Sequence, residues 1–118
     1  MILVDINPLA AALQYGNYAY LVPERSNTTF VSVLLRLCKR HRVALIVPTS
    51  DSDLMLFARH REKFERIGTR VLVPDIATVE ICRDKIKFAA FCKRNGFAVP
   101  QTYSQKDFLH GKVRFPVF

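Results

Sequence analysis

Short runs of apolar residues alternate with longer segments in which apolar residues recur at helical spacing. A nearly continuous apolar run is typical of a strand that is buried on both faces of a parallel sheet. Each run is soon followed by a proline, which cannot donate to a sheet ladder and so ends the strand. The predicted strands are Ile2–Ile6, Tyr18–Val22, Val43–Val47 and Val71–Val73.

The segments between these runs predict helices, because their apolar residues fall on one face. Asn27 or Thr28 can cap the first long helix, which runs to about His41. The second long helix has its apolar face over Leu54–Ile67 and ends at Gly68. Strands that alternate with helices predict an α/β fold, with a mainly parallel open sheet flanked by helices.

A later stretch of the chain has the clearest signals for the start and the end of a helix. Asp84 can cap a helix from Lys85 to about Asn95, and Gly96 supplies the left-handed residue that ends it. Pro100 keeps the chain extended afterwards. Three further short helices are predicted: one at Leu9–Gln14, one at Ile76–Cys82 with Asp75 as its cap, and one that begins with a capping box at Ser104–Asp107. A last strand is predicted at Lys112–Phe118.

The composition is that of one folded domain, since half of the 118 residues are hydrophobic. No apolar run approaches the roughly 20 residues that a membrane span needs, and no secretory signal is recognised at the N-terminus. Cys38, Cys82 and Cys92 form no CxxC pair, and their apolar neighbours indicate reduced core thiols in a cytoplasmic protein. The three histidines are scattered, so no metal site is predicted.

The formal charge of +8 first suggests a nucleic-acid partner. The basic residues are, however, spread over several predicted helices and share them with acidic residues. Several of them end one helix, where the helix dipole favours cations. Solvated helix faces therefore account for the charge, and nucleic acid is not an expected partner.

A polar segment, Thr49–Asp53, directly follows the third predicted strand and its proline. Open α/β sheets bind their ligands beyond the carboxyl ends of the strands. Thr49, Ser50 and Asp51 are therefore candidate ligand-binding residues. The alternative is that Ser50 or Asp51 simply caps the helix that follows.

Short motifs follow one another along most of the chain: VDINP, YLVP, LCKRH, IVPTSD, EKFERIG and VLV. In this order and spacing they resemble the domain that precedes the ATP-grasp fold in ATP-grasp ligases. The stretch Val79–Tyr103 is similar to the segment that leads into the nucleotide-binding domain, most of all in the large subunit of carbamoyl-phosphate synthase and its small relatives. The resemblance implies a Rossmann-like pre-ATP-grasp domain at residues 1–103 and the start of a truncated ATP-grasp domain at residues 104–118.

The chain departs from these relatives at both ends. They usually begin with a further strand, a Gly-rich turn and a helix, and they continue into a Gly-rich loop over the phosphates, so we expect a fragment of a longer ligase. In the doubly wound order, the further strand would lie between Ile2–Ile6 and Val43–Val47. Because an unpaired buried strand edge is costly, we expect these two strands to become neighbours or a homodimer to fill the gap.

In the family, the resemblance implies ligation through an acyl phosphate: ATP phosphorylates a carboxylate, and an amine or another nucleophile displaces the phosphate. ATP and Mg²⁺ are thus implied for the full-length enzyme, with the carboxylate substrate bound through further domains, and this chain alone is expected to be inactive. Lys85 matches a nucleotide contact of the family. A lysine in the first turn of a helix opposes the helix dipole, and a bound phosphate would offset this; a solvated lysine is the alternative.

A non-catalytic module is the alternative hypothesis for the whole chain. Such a module would bind RNA through its basic surface or sense a small molecule at the Thr49–Asp53 segment. The sequence contains no aromatic-studded strand, GXXG loop or helix-turn-helix signature, which argues against the RNA reading.

Overall fold

A computed structural model describes residues 1–115, which form two compact units that divide between Val73 and Pro74. Within these residues, the four strands and the two longest helices belong to the first unit, and three further helices belong to the second. The predicted α/β class with parallel strands is confirmed. None of the helices described is long and apolar enough to cross a membrane.

The first unit runs through β1 (Ile2–Asp5), a 3-10 helix (Ala11–Tyr15), β2 (Tyr18–Leu21), α1 (Phe30–His41), β3 (Leu45–Ile46), α2 (Asp51–Glu65) and β4 (Arg70–Val71). The second unit contains α3 (Ile76–Arg83), α4 (Lys85–Arg94) and α5 (Gln105–Leu109). The strands are shorter than predicted, because regular pairing ends before the apolar run does. Of the strand predicted at Lys112–Phe118, residues 112–115 are not in a strand and the remainder lies outside the described residues.

Two separate pairs of parallel strands make up the sheets of the first unit. Ile2 lies opposite Tyr18 in the β1–β2 pair, and Ile46 lies opposite Val71 in the β3–β4 pair. Within residues 1–115, β1 and β3 are not paired, so the prediction that they would become neighbours is wrong. Strands of two to four residues expose few backbone groups along an edge, which lowers the cost of leaving that edge to water. The homodimer alternative stays a prediction.

The core of the first unit is formed by side chains from α1, α2 and the strands β3 and β4, together with Val22 directly after β2. Its buried residues are Val22, Phe30, Leu34, Cys38, Phe57, Phe64 and Val71. Phe64 is completely buried, and its ring centroid lies 5.7 Å from that of Phe57. Thr69 is also completely buried, and its hydroxyl donates to the carbonyl of Val43 at 2.8 Å, which satisfies the polar group inside the core.

The opposite face of the β3–β4 pair is open to solvent. Because successive strand side chains alternate between faces, Leu45 and Val47 point away from Ile46 and the core. Leu45 is 49% exposed, Val47 56% and Leu72 62%. The prediction that the strands are buried on both faces is therefore wrong for this pair, since α1 and α2 both contribute to the core on one face only.

In the second unit, α3 and α4 pack against each other and bury Val79, Ala89 and Cys92. Asp75 caps α3 by accepting from the backbone N–H of Thr78 at 2.8 Å, as predicted. That hydrogen bond stabilises the carboxylate and lowers the pKa of Asp75 from its usual value. The cap is therefore fully ionised at neutral pH.

The predicted C-terminal end of α4 and the predicted start of α5 are confirmed. Gly96 has a φ of 75°, and the N–H of Phe97 returns to the carbonyl of Cys92 at 3.0 Å, which closes the end of α4. Ser104 and Asp107 form the predicted capping box, with the Ser104 N–H donating to the Asp107 carboxylate at 2.9 Å.

Two local predictions are wrong. The cap position of α1 is Thr29, which makes no side-chain capping bond; Asn27 instead accepts from the Thr29 N–H at 2.9 Å in a turn ahead of the helix. Cys38 and Cys92 are buried as predicted, whereas Cys82, in the last turn of α3, is exposed. All three cysteines are free thiols.

Candidate functional site

The polar segment after β3 is shorter than predicted. Helix α2 already begins at Asp51, so only Thr49 and Ser50 remain outside a regular element. Asp51 and Asp53 both lie in the first turn of α2, where the helix dipole favours carboxylates. The three candidate residues Thr49, Ser50 and Asp51 are contiguous and exposed at the carboxyl end of β3.

The hydroxyl groups of this turn bond to each other. Ser50 occupies the cap position of α2, but its side chain makes no bond to the helix backbone. Its Oγ lies 2.6 Å from the Oγ of Ser52, and its carbonyl accepts from the N–H of Asp53 at 3.0 Å. The prediction that the Ser50 side chain caps the helix is therefore wrong, and the hydroxyl belongs to a surface network.

Arg25 completes this network, and the sequence analysis did not find it. Its Nη1 donates to the hydroxyl of Ser52 and lies 3.2 Å from a carboxylate oxygen of Asp53. Arg25 belongs to the segment between β2 and α1, far from Asp53 along the chain. The sequence shows a cation, Arg25, shortly after β2 and two carboxylates, Asp51 and Asp53, shortly after β3. It does not show that these residues are close in space.

Lys85 lies at the start of α4, in the second unit. It is the first residue of that helix and is exposed, as predicted for either a phosphate contact or a solvated lysine. The cap Asp84 accepts from the N–H of Ile86 at 2.9 Å and of Lys87 at 3.0 Å. Two of the N–H groups that a helix start could offer to an anion are therefore already bonded. The first turn of α4 therefore attracts an anion mainly through the positive charges of the Lys85 and Lys87 ammonium groups.

The candidate residues thus form two distinct surfaces with opposite chemistry. Two carboxylates, two hydroxyls and Arg25 surround the start of α2, which suits a neutral polar or cationic group better than an anion. Lys85 and Lys87 give the start of α4 the opposite preference. In residues 1–115 there is no group of three or more His, Cys, Asp or Glu side chains that could hold a metal ion.

The comparison with protein families agrees with the division of the chain. The model of the family described as "PylC-like, N-terminal domain" matches residues 1–72, which is all of the first unit except Val73. No curated protein matches the chain. The family match covers more than half of the 118 residues. The chain therefore belongs to the PylC-like N-terminal domain family, the pre-ATP-grasp domains of ATP-grasp ligases.

Proposed function

We propose that this chain is the N-terminal part of an ATP-dependent ligase that joins a carboxylate to an amine. The observation that carries the proposal is the family match over residues 1–72. A pre-ATP-grasp domain supplies a rigid α/β support beside a nucleotide-binding domain, and the fold of the first unit suits that role. We assign residues 1–103 to the pre-ATP-grasp domain and residues 104–118 to the start of the ATP-grasp domain.

Lys85 is the residue of this chain that we assign to ATP. Its ammonium group, with that of Lys87, can hold a phosphate by charge while Asp84 keeps the helix start ordered. The carboxylate of Asp84 offsets part of this charge, so Mg²⁺ and further cations from elsewhere in the ligase would have to supply most of the neutralisation of a triphosphate. When bound, Mg²⁺ would supply charge stabilisation at the transferring phosphoryl group.

The finer assignment follows the resemblance in the second unit. The stretch Val79–Tyr103 is similar to that of carbamoyl-phosphate synthase, so we propose activation of the carboxylate as an acyl phosphate. An amine would then displace the phosphate. ATP, Mg²⁺ and the carboxylate would be held mainly by further domains of a cytoplasmic enzyme, and a homodimer remains part of the proposal.

A second candidate function concerns Thr49, Ser50 and Asp51. The acidic first turn of α2 and the hydroxyl network around it favour an amine or a polyol as ligand. In a ligase this turn could bind the incoming amine, and in a non-catalytic module it could sense a small molecule. Replacement of Asp51 by Asn would weaken an amine ligand and leave a neutral polyol nearly unaffected, which distinguishes the two ligand types.

The test of the proposed function uses the purified chain and ATP. The chain alone should bind ATP weakly and should not turn it over, because its only assigned nucleotide contacts are the ammonium groups of Lys85 and Lys87. Isothermal titration and a phosphate-release assay measure both quantities. Steady ATP turnover that is abolished by a substitution within residues 1–118 would contradict the proposal, since the active site would then lie inside this chain.

A further inference from the structure

A cavity of about 480 Å³ opens at the end of the first unit where α1 and α2 finish. Its volume lies within the range of about 300–1,000 Å³ that is usual for small-molecule sites. Cationic and apolar residues both line the cavity. The cationic residues are Lys39, Arg42 and Arg66, and the apolar ones include Cys38, Val43 and Ile67.

The three cations do not serve to cap the helices that they end. Two of the last carbonyls of α1 already accept from the backbone: the N–H of Arg42 bonds to the carbonyl of Lys39 at 3.3 Å and the N–H of Val43 to that of Cys38 at 3.0 Å. The helix dipole favours cations at the C-terminal ends of α1 and α2. It does not, however, explain why Lys39, Arg42 and Arg66 line one cavity. Only Arg66 has an acidic partner among the described residues, Glu62 at 3.5 Å, and both side chains are mostly exposed.

Arg42 has an unfavourable backbone conformation. Its φ of 50° and ψ of 47° place it in the left-handed region, and it is the only non-glycine residue with positive φ within residues 1–115. Glycine is the usual residue at such a helix end. At the end of α2, the corresponding left-handed position is Gly68, with a φ of 80°, and it lines the same cavity. An arginine at a position that glycine would occupy with less strain suggests a role for its side chain.

This cavity is separate from the proposed functional surfaces. Val43 and Ala44 lie ahead of β3, so the cavity is at the amino ends of the strands. Ligands of open α/β sheets lie beyond the carboxyl ends, where Thr49 and the start of α2 are found. The inference therefore does not rest on the ligase assignment, and each can fail without the other.

We propose that this cavity binds a compact phosphate-bearing anion. Arginine presents a planar fork of donors that matches phosphate oxygens in pairs, and Lys39 adds a point charge. Burial raises the pKa of the Cys38 thiol, which is therefore neutral at pH 7 and does not repel the anion.

The experiment uses inorganic pyrophosphate as the probe, at an ionic strength of about 0.15 M so that exposed charges are screened, with affinity measured by isothermal titration. Lys39→Gln and Arg42→Gly should each weaken binding about tenfold or more, the loss expected for one charge-assisted contact. Arg40→Gln is the matched control, because Arg40 is adjacent and equally charged but does not line the cavity. It should change the affinity less than about twofold, as expected for a screened surface charge.

Arg42→Gly also separates binding from folding. Glycine relieves the left-handed conformation, so the melting temperature should stay constant or rise while the affinity for pyrophosphate falls. Equal weakening by Arg40→Gln would mean diffuse surface charge and would overturn the proposal. Absence of binding at millimolar pyrophosphate would overturn it too. Tight binding of a single-stranded oligonucleotide without any binding of pyrophosphate would also overturn it, and would assign the surface to nucleic acid instead.

Discussion

The starts of α2 and α4 have opposite charge and opposite capping. At α2, Asp51 and Asp53 occupy the first turn, while the hydroxyl of the cap residue Ser50 bonds to Ser52 and not to the helix. At α4, the first turn is basic, and the Asp84 carboxylate holds two backbone N–H groups. The two helix starts have similar backbone geometry, but the charges of the few side chains around them favour different ligands.

The two helices also differ in how firmly they are held. Phe57 and Phe64 anchor α2 in the core of the first unit. Helix α4 buries only the small side chains Ala89 and Cys92. The start of α2 is thus fixed by packing, whereas the start of α4 depends more on its cap. Four predictions test this comparison, from the largest expected effect to the smallest.

Phe64→Ala should lower the free energy of unfolding of the first unit by about 3–5 kcal/mol, because it removes a fully buried ring and leaves a cavity beside Phe57. Urea denaturation followed by circular dichroism measures the change. Phe115→Ala deletes the same side chain at a position that is 71% exposed, and it should change stability by no more than about 0.5 kcal/mol. Similar losses for both variants would show that α2 is not anchored as described.

Lys85→Met should reduce kcat/KM for ATP about tenfold or more in a ligase that joins this chain to its ATP-grasp domain. One charge-assisted contact is worth about 1.5–3 kcal/mol, and about 1.4 kcal/mol is a factor of ten. Lys93→Met is the control, since it makes the same change at the other end of α4. If both variants keep full activity, the assignment of Lys85 to the phosphate is wrong.

Asp84→Ala should lower the stability of the second unit by about 1 kcal/mol, because two backbone N–H groups lose their acceptor. Ser50→Ala should cost less than about 0.5 kcal/mol, since the Ser50 side chain holds no helix N–H group. Thermal melts of the two variants compare the caps directly. A larger loss for Ser50→Ala would reverse the comparison between the two helix starts.

Elements with strong local signals could be predicted from the sequence. Asp84 as cap, Gly96 as the left-handed end and the Ser104–Asp107 box are all encoded by a few neighbouring residues, and all three are confirmed. The α/β class followed from the spacing of apolar runs in the same way. For the candidate site, the charged and polar residues at the starts of α2 and α4 could be identified from the sequence, because the residues of a first turn are neighbours in the chain.

What depends on contacts between distant residues could not be predicted. Strand pairing is such a contact, and β1 and β3 are not neighbours within residues 1–115. The bridge from Arg25 to Asp53 joins segments that are far apart in the chain. The preference of Ser50 for Ser52 over the helix backbone depends on a side-chain rotation that no sequence pattern specifies. The left-handed conformation of Arg42 was missed because the residue type argues against it.

The smallest expected effect is the contribution of the first-turn charges themselves. A carboxylate at a helix start is stabilising and a cation destabilising, each by roughly 0.3–1 kcal/mol at exposed sites. Asp51→Asn should therefore lower stability slightly, whereas Lys85→Met should leave it unchanged or raise it by a few tenths of a kcal/mol. Both differences should shrink in high salt, because exposed charges are screened. Thermal melts at low and high ionic strength measure the two signs. If Lys85→Met instead destabilises the free chain, the lysine supports the fold itself, and its place at the start of α4 needs no bound phosphate to explain it.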